Sequence, residues 1–467
     1  MILLILTIAL VLRFVVINQS LWLDEAINVN NAAILDFKSL ILNYSLSDFH
    51  PPLYHLILRA WILFVGSSEV AVRIPSIIFG VATVYVTYLL GKKLFEEKTA
   101  LIAATLLATS PLAIYYSQEA RMYSLAALSA SLSVYFFLSL TKKDTIPLWI
   151  GFIAATSVML YCDYLPYLLI PMYGIFLLLS KKIIAKSTLK AFIPAFIIIF
   201  ILLTPWLVIL PKQAEVGLSA AAASPAWAQV VGSPNLKNLA ITFVKFTIGR
   251  ISHDNDLTYA AMFAPIAFFV SFLFIFSLAR ISRLRFFLWY WFFGIVLLGY
   301  AVSFLVPVFA YFRFIFVLPA FYLIIASAIN TINWPPLVRV ALGIFLAINL
   351  TALLIYFSNP KFHRENWREA TAYVLQNSGP GTIVLFPSDY TTGPFDYYNQ
   401  NRVAASGALN KNIESLTEGK NKVFLFQYLS QITDPQGAVF RQLSLLGFVN
   451  SSTKDFWGVG FVYEFTK

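Results

Sequence analysis

The sequence predicts a polytopic α-helical membrane protein with a small mixed α/β domain at its C-terminal end, and three observations carry that expectation. Of 467 residues, 59% are hydrophobic and 12% charged, with a mean hydropathy of +0.77; a soluble domain is about 25% charged. Apolar runs of membrane length recur from Met1 to about Phe357, each separated from the next by a polar link. A transmembrane barrel would instead show alternating segments of roughly ten residues. From about Asn359 the apolar run gives way to mixed composition with short strand and helix patterns.

The net charge of +11 does not point to nucleic acid, because many of the basic residues sit in clusters between apolar runs: Lys92-Lys93, Lys142-Lys143, Lys181-Lys182 with Lys186 and Lys190, and Arg280, Arg283 and Arg285. Such clusters mark cytoplasmic links. The single cysteine, Cys162, excludes an internal disulfide and a cysteine-based metal site. The first segment lacks a basic leader and a small-residue cleavage site, so it reads as a retained anchor.

With the basic clusters inside, crossings are expected near 2–17, 70–90, 99–115, 123–140, 146–161, 164–179, 191–210, 257–278, 286–306, 314–330 and 337–356, about eleven in all. The stretch Pro52 to Gly66 is apolar too. If it crossed, every later basic cluster would move outside, so it reads as a re-entrant or interfacial helix, with Asn31 to Tyr44 as a second such helix before it. The transmembrane module then covers 1–358, with a first outer loop at 18–69, and an extracytoplasmic domain covers 359–467. In that domain a helix is expected at Glu365 to Gln376, strands at Thr382 to Phe386, Lys422 to Phe426 and Gly460 to Phe465, and a helix at Gln436 to Leu446.

This parity gathers the polar residues suited to chemistry on one face of the membrane. Asp24 and Glu25 stand just past the first span; a carboxylate at the edge of hydrocarbon has a raised pKa and accepts a proton from an attacking hydroxyl or amine. Their structural alternative is to favour the first turn of a helix. In Asp48-Phe-His-Pro-Pro-Leu-Tyr-His55 the prolines fix a rigid helix start and hold His50 on its lip. Ser117-Gln-Glu-Ala-Arg-Met-Tyr123 places an acid, a base and a phenol between two spans, where they must pair or serve a site; Arg121 suits a phosphate and Glu119 a sugar hydroxyl. Arg313 opens the tenth span, placed for an anionic group or for snorkelling to lipid phosphates, and Arg59 and Arg73 have the same two readings. Arg13 lies within the first span and needs a partner there.

The order of motifs resembles the membrane glycosyltransferases of the GT-C fold: Asp-Glu after the first span, His-Pro-Pro-Leu-Tyr, Arg73-Ile-Pro-Ser, then Ser-Pro-Leu-Ala-Ile-Tyr-Tyr-Ser-Gln-Glu-Ala-Arg-Met-Tyr. Within that fold it is most similar to the dolichyl-phosphate-mannose protein mannosyltransferase-like enzymes, with the lipid A aminoarabinose transferase as a relative. The likeness covers roughly Leu21 to Leu140, and Tyr311-Phe-Arg-Phe-Ile-Phe-Val-Leu-Pro and Asn366-Trp-Arg-Glu-Ala extend it. It implies a GT-C-like fold and a polyprenyl-phosphate sugar donor used on the non-cytoplasmic face of the cell membrane, with a lipid, glycan or protein acceptor. Asp24 matches the family's catalytic acid and Glu25 its partner, while Arg121 and Arg313 match phosphate contacts.

His50, Tyr54, Arg73, Glu119, Tyr123 and Asp163 complete the candidate substrate-binding set. Members often show His-Tyr where this chain has Asp163-Tyr164. If a divalent ion is used, Glu25, His50 and Glu119 are its candidate ligands. The expected chemistry is a single inverting displacement with Asp24 as general base. A polytopic lipid or glycolipid transporter or flippase is the alternative; it predicts ionisable groups near the middle of several spans. An envelope-assembly or receptor protein anchored by its spans is a third reading, and it leaves the acidic pair unexplained.

Overall fold

The computed structural model describes residues 1–223, 232, 234–278, 283–409 and 411–467. Arg280 lies outside the described residues, as does the side chain of Arg283.

Among the described residues, helices α1 (Ile2–Phe14), α2 (Leu23–Ile34), α3 (Leu53–Val65), α4 (Glu69–Leu94), α5 (Glu97–Ala108), α6 (Pro111–Ser117), α7 (Tyr123–Leu140), α8 (Ile146–Leu160), α9 (Leu169–Ser180) and α10 (Lys186–Leu207) lead into α11 (Leu210–Ala223) and α12 (Leu236–Ile248). They are followed by α13 (Asp256–Leu278), α14 (Arg285–Val302), α15 (Leu318–Thr331, opened by a tight turn from Tyr311) and α16 (Pro335–Ser358). Seven of these segments are long and apolar enough to cross a membrane: α4, α7, α10, α13, α14, α15 with its leading turn, and α16. An eighth is made by α5 and α6, bent by 58° at their junction. The bend has a local cause, since Ser110 caps Ala113 N and Pro111 opens α6, a pair that starts a helix anew. With α3 set aside, these and the shorter apolar helices α1, α8 and 165–180 occupy the eleven expected segments. The first outer helix starts earlier than Asn31, at Leu23, so Asp24 and Glu25 both lie in its first turn.

Of the 18-residue apolar stretch in each, 89% is buried in α15 with its leading turn and 78% in α7, against 22% in α13, so the first two form the centre and α13 its rim. Helix α7 is lined with serines that let neighbours approach; Ser133 Oγ lies 2.7 Å from both Thr156 Oγ1 and Tyr173 Oη. Arg13, fully buried, finds its partners at Ser117 Oγ (3.1 Å) and the carbonyls of Ala9 and Ala108. A side chain at Gly80 would meet Ser117 Oγ at 2.1 Å, so the close crossing there requires glycine.

After Ser358 come α17 (Trp367–Asn377), α18 (Gly393–Asn399) and α19 (Ala438–Leu445), around a five-stranded sheet of β1 (Thr382–Phe386), β2 (Ala404–Gly407), β3 (Lys422–Phe426), β4 (Val449–Phe456) and β5 (Gly460–Thr466). The order is β2-β1-β3-β5-β4, with β1 parallel to β2 and β3, and β5 antiparallel to β3 and β4. The central strands β1 and β3 are buried almost throughout, as continuous apolar runs are when both faces are covered. Two strands carry no strand pattern in the sequence: β2 is four small residues, and β4 is a polar edge strand with no buried face to pattern it. The domain rests on α2 and the start of α4. Asn30 Nδ2 donates to Gly393 O (2.9 Å), Tyr397 Oη to Ser67 O (2.7 Å), and Arg368 pairs with Glu69 at 2.7 Å.

Candidate active site

The first turn of α2 sends its two acids in different directions. Glu25 is fully buried, and its oxygens accept from Arg73 Nε and Nη2, each at 2.7 Å, and from Ala120 N at 2.9 Å. Arg73 spends its remaining N–H groups on the carbonyls of Ile17, Gln19 and Ser20. All five guanidinium donors are thus used inside the protein, and none is left for a substrate. Arg73 is therefore a brace that ties α1, α2 and α4 together, which corrects its expected place among the substrate contacts. Burial raises the Glu25 carboxyl, but Arg73 and Arg364 outweigh it and hold the group below its ordinary range.

Asp24 stays open. Its side chain is 41% exposed and lies 4.0 Å from Arg121 Nη2. Protein packed around its other sides raises its carboxyl, the negative charge of Asp48 adds to this, and Arg121, His50 and Arg313 oppose it. The net direction is upward, the condition of a carboxylate that takes up a proton readily.

Arg121 is held from behind. Its Nη1 donates to Asp48 Oδ1 (2.8 Å), and Asp48 Oδ2 lies 3.0 Å from His50 Nδ1 and 3.2 Å from His55 Nε2. Asn28 links this network to the 118–122 loop, through His55 Nδ1 (2.7 Å) and Ala120 O (2.8 Å). Asp48 is kept well below the carboxylate range, Arg121 and the two histidines overcoming its burial.

Glu119 and Arg121 do not pair with each other: Arg121 is on Asp48 and Glu119 on Arg364. Glu119 is buried and accepts from Arg364 Nη1 at 3.0 Å, while its second oxygen has no partner among the described residues. Burial is the larger influence and raises its carboxyl. Glu25, His50 and Glu119 therefore do not converge on a metal position: the first lies on Arg73, the second on Asp48 and the third on Arg364. Among the described residues no three His, Cys, Asp or Glu side chains could hold a metal ion together.

The remaining expected residues divide. Arg313 acts on Asp24 electrostatically, and its buried Nε has no partner among the described residues. Tyr123 packs edge-on against Tyr116 and Phe312. Tyr54 is buried, with its hydroxyl 2.8 Å from Ser76 Oγ, and it supports the loop carrying Arg121. Asp163 accepts from the adjacent Tyr164 N (2.6 Å), a turn contact; Tyr164 in turn bonds Gln213, whose amide donates to Ser45 O and His50 O.

The tertiary structure adds groups that sequence patterns did not single out. Arg250 and Arg364 lie over the Tyr115 ring at 4.7 and 4.4 Å, and both donate to its hydroxyl. Nearby Lys245 is buried and donates to Ile251 O; burial and the Arg250 charge lower its ammonium to about 7. Glu365, leading into α17, accepts from Trp367 Nε1 (2.7 Å) and Tyr428 Oη (2.8 Å). Burial first, then the negative charge of Asp24, raises it to about 7, against the two hydrogen bonds and Arg250. In the sequence Arg364-Glu365 stands out only as a charged pair shortly after the last span, at the expected start of a helix.

Residues 49–209 match the family model described as dolichyl-phosphate-mannose-protein mannosyltransferase, a stretch containing His50, Arg73, Glu119, Arg121 and Asp163. Among solved structures, ArnT from Cupriavidus metallidurans in the apo state aligns over 99% of this chain and 97% of its own, with TM-score 0.60 at 12% identity. The same protein bound to undecaprenyl phosphate aligns over the same shares, with TM-score 0.61 at 13% identity. The chain has the GT-C membrane fold. A second GT-C neighbour is the archaeal oligosaccharyltransferase AglB from Archaeoglobus fulgidus, in complex with an inhibitory peptide and a dolichol-phosphate. It covers 99% of this chain and 74% of its own, with TM-score 0.57 at 13% identity. No curated protein matches the chain by sequence.

Proposed function

We propose that the protein transfers a sugar from a polyprenyl-phosphate-linked donor to a hydroxyl or amine acceptor, with inversion, and that Asp24 is the general base. The observation that carries this reading is the open Asp24 carboxylate beside Arg121, within electrostatic reach of Arg313, whose buried Nε has no partner. The acceptor's O–H or N–H proton passes to Asp24 as its oxygen or nitrogen bonds to the anomeric carbon. The bond from that carbon to the phosphate oxygen breaks, and polyprenyl phosphate departs with the electron pair. Arg313 and Arg250 take up the charge that develops on it, and Arg121 orients Asp24. Glu25 serves as the brace behind the site.

The donor class is supported by the GT-C fold and by the polyprenyl phosphates bound in ArnT and AglB. The lysine pairs Lys92-Lys93 and Lys142-Lys143 lie at helix ends remote from Asp24, which supports a reaction on the extracytoplasmic face of the cytoplasmic membrane.

The test is to purify the protein in detergent with its native lipids, offer a panel of radiolabelled polyprenyl-phosphate sugars, and compare wild type with Asp24→Asn. Wild type is expected to release sugar from one donor; the variant binds that donor and turns over at least about a hundredfold more slowly. Equal transfer by both proteins rejects Asp24 as the base. Binding of no donor by wild type rejects the donor class and returns the question to transport.

A further inference from the structure

Helices α5 and α16 both run toward the site, α5 through α6 to Glu119 and α16 to Arg364, so their N-terminal ends lie at the opposite end of the bundle from Asp24. Between those ends is a groove of about 520 Å³, within the roughly 300–1,000 Å³ of ligand sites. Leu101 and Ile102 from α5 and Val338 and Leu342 from α16 are among the residues that line it, and so are the cations Lys98 and Arg339. Among the described residues no acid lines it and neither cation is in an ion pair. The acids next to Lys98 in sequence are engaged elsewhere: Glu96 with Asn330, and Glu97 with Tyr88 and Lys92.

We infer that this groove binds an anionic diacyl phospholipid, its phosphate between Lys98 and Arg339 and one acyl chain along the apolar wall. Charge and shape together select that occupant. A soluble anion would leave the apolar wall unfilled, and a neutral lipid would leave two cations unmatched. Basic pockets between helices at the cytoplasmic side are established positions for anionic head groups. The site is remote from the reaction and does not depend on it; its role is to fix α5, and through it the bent α5–α6 pair, against α16.

Native mass spectrometry of the full chain in detergent tests the inference, with phosphatidylglycerol, phosphatidylcholine, undecaprenyl phosphate and inorganic phosphate as probes. Wild type is expected to retain phosphatidylglycerol preferentially, and Lys98→Gln with Arg339→Gln to bind it about thirtyfold more weakly. Leu342→Trp fills the groove while keeping both cations, and is also expected to weaken retention. Equal retention of phosphatidylcholine, or unchanged phosphatidylglycerol binding in the double variant, overturns the proposal. So does competition by inorganic phosphate at equal concentration, which marks a plain anion site, or tighter binding of undecaprenyl phosphate, which marks a carrier site. Unchanged binding by Leu342→Trp overturns the seating of the chain.

Discussion

Asp24 and Glu25 differ by one methylene and one position, about 100° round the first turn of α2, yet they belong to different parts of the molecule. Glu25 faces inward to a closed set of donors, with Arg73 bidentate and Ala120 N behind it. Asp24 faces the open side, with Arg121 at 4.0 Å and, among the described residues, no closer partner. A saturated carboxylate holds structure together; an unsaturated one beside cations is available for a substrate. Both share the favourable helix start that acids prefer, so that preference does not separate them.

The comparison is broken most severely at Glu25. Glu25→Ala leaves Arg73 buried without its counter-charge, and a cost of about 3–5 kcal/mol is expected. Thermal melting in detergent reads it, against an Asp24→Asn control that melts with wild type. A Glu25→Ala protein as stable as wild type would remove the brace.

Next in size is Arg313→Ala. Transfer is expected to fall roughly 10²-fold with the melting point unchanged, because the side chain has an unpartnered Nε and no place in the brace. A loss of stability in step with activity would make Arg313 another structural arginine.

Glu365 sharpens the contrast through pH. Its carboxyl is raised from 4.5 to about 7, so the folded protein holds a proton that the unfolded chain releases. Stability from this group is present below about pH 4.5 and lost as pH rises to about 7. Glu365→Gln stays neutral and should lack that decline, so melting temperature followed from pH 4 to 8 separates the two proteins. Parallel curves would remove the assignment. The smallest effect is expected at Arg368, which is exposed and pairs with Glu69; Arg368→Ala should cost about 0–1 kcal/mol, read from the same melts.

Much of the membrane part was legible because crossing a bilayer is a local demand on about 20 consecutive residues. The motifs at Asp24, His50, Glu119 and Arg121 were legible as polar groups at helix ends, and the fold brings them to one end of the bundle. Their partners were not. Glu119 reads in the sequence as a contact for a sugar hydroxyl, but its partner is Arg364, 245 positions along the chain. Arg73 reads in the sequence as an anion contact, yet all five of its donors are taken by acceptors of the protein itself. Glu365 lay in a segment marked only as the start of a helix.

By itself the sequence determined that the chain spans the membrane many times, that polar residues at its helix ends collect at one end of the bundle, and that a strand-bearing domain follows. Hydropathy, charge and periodicity are properties of neighbouring residues, so they are readable without a fold. Only the tertiary structure decided which of two adjacent acids stays open and which arginine is spent. That choice depends on donors arriving from 48 and 95 positions away for Glu25 alone, and a buried charge is stable only where such donors meet it.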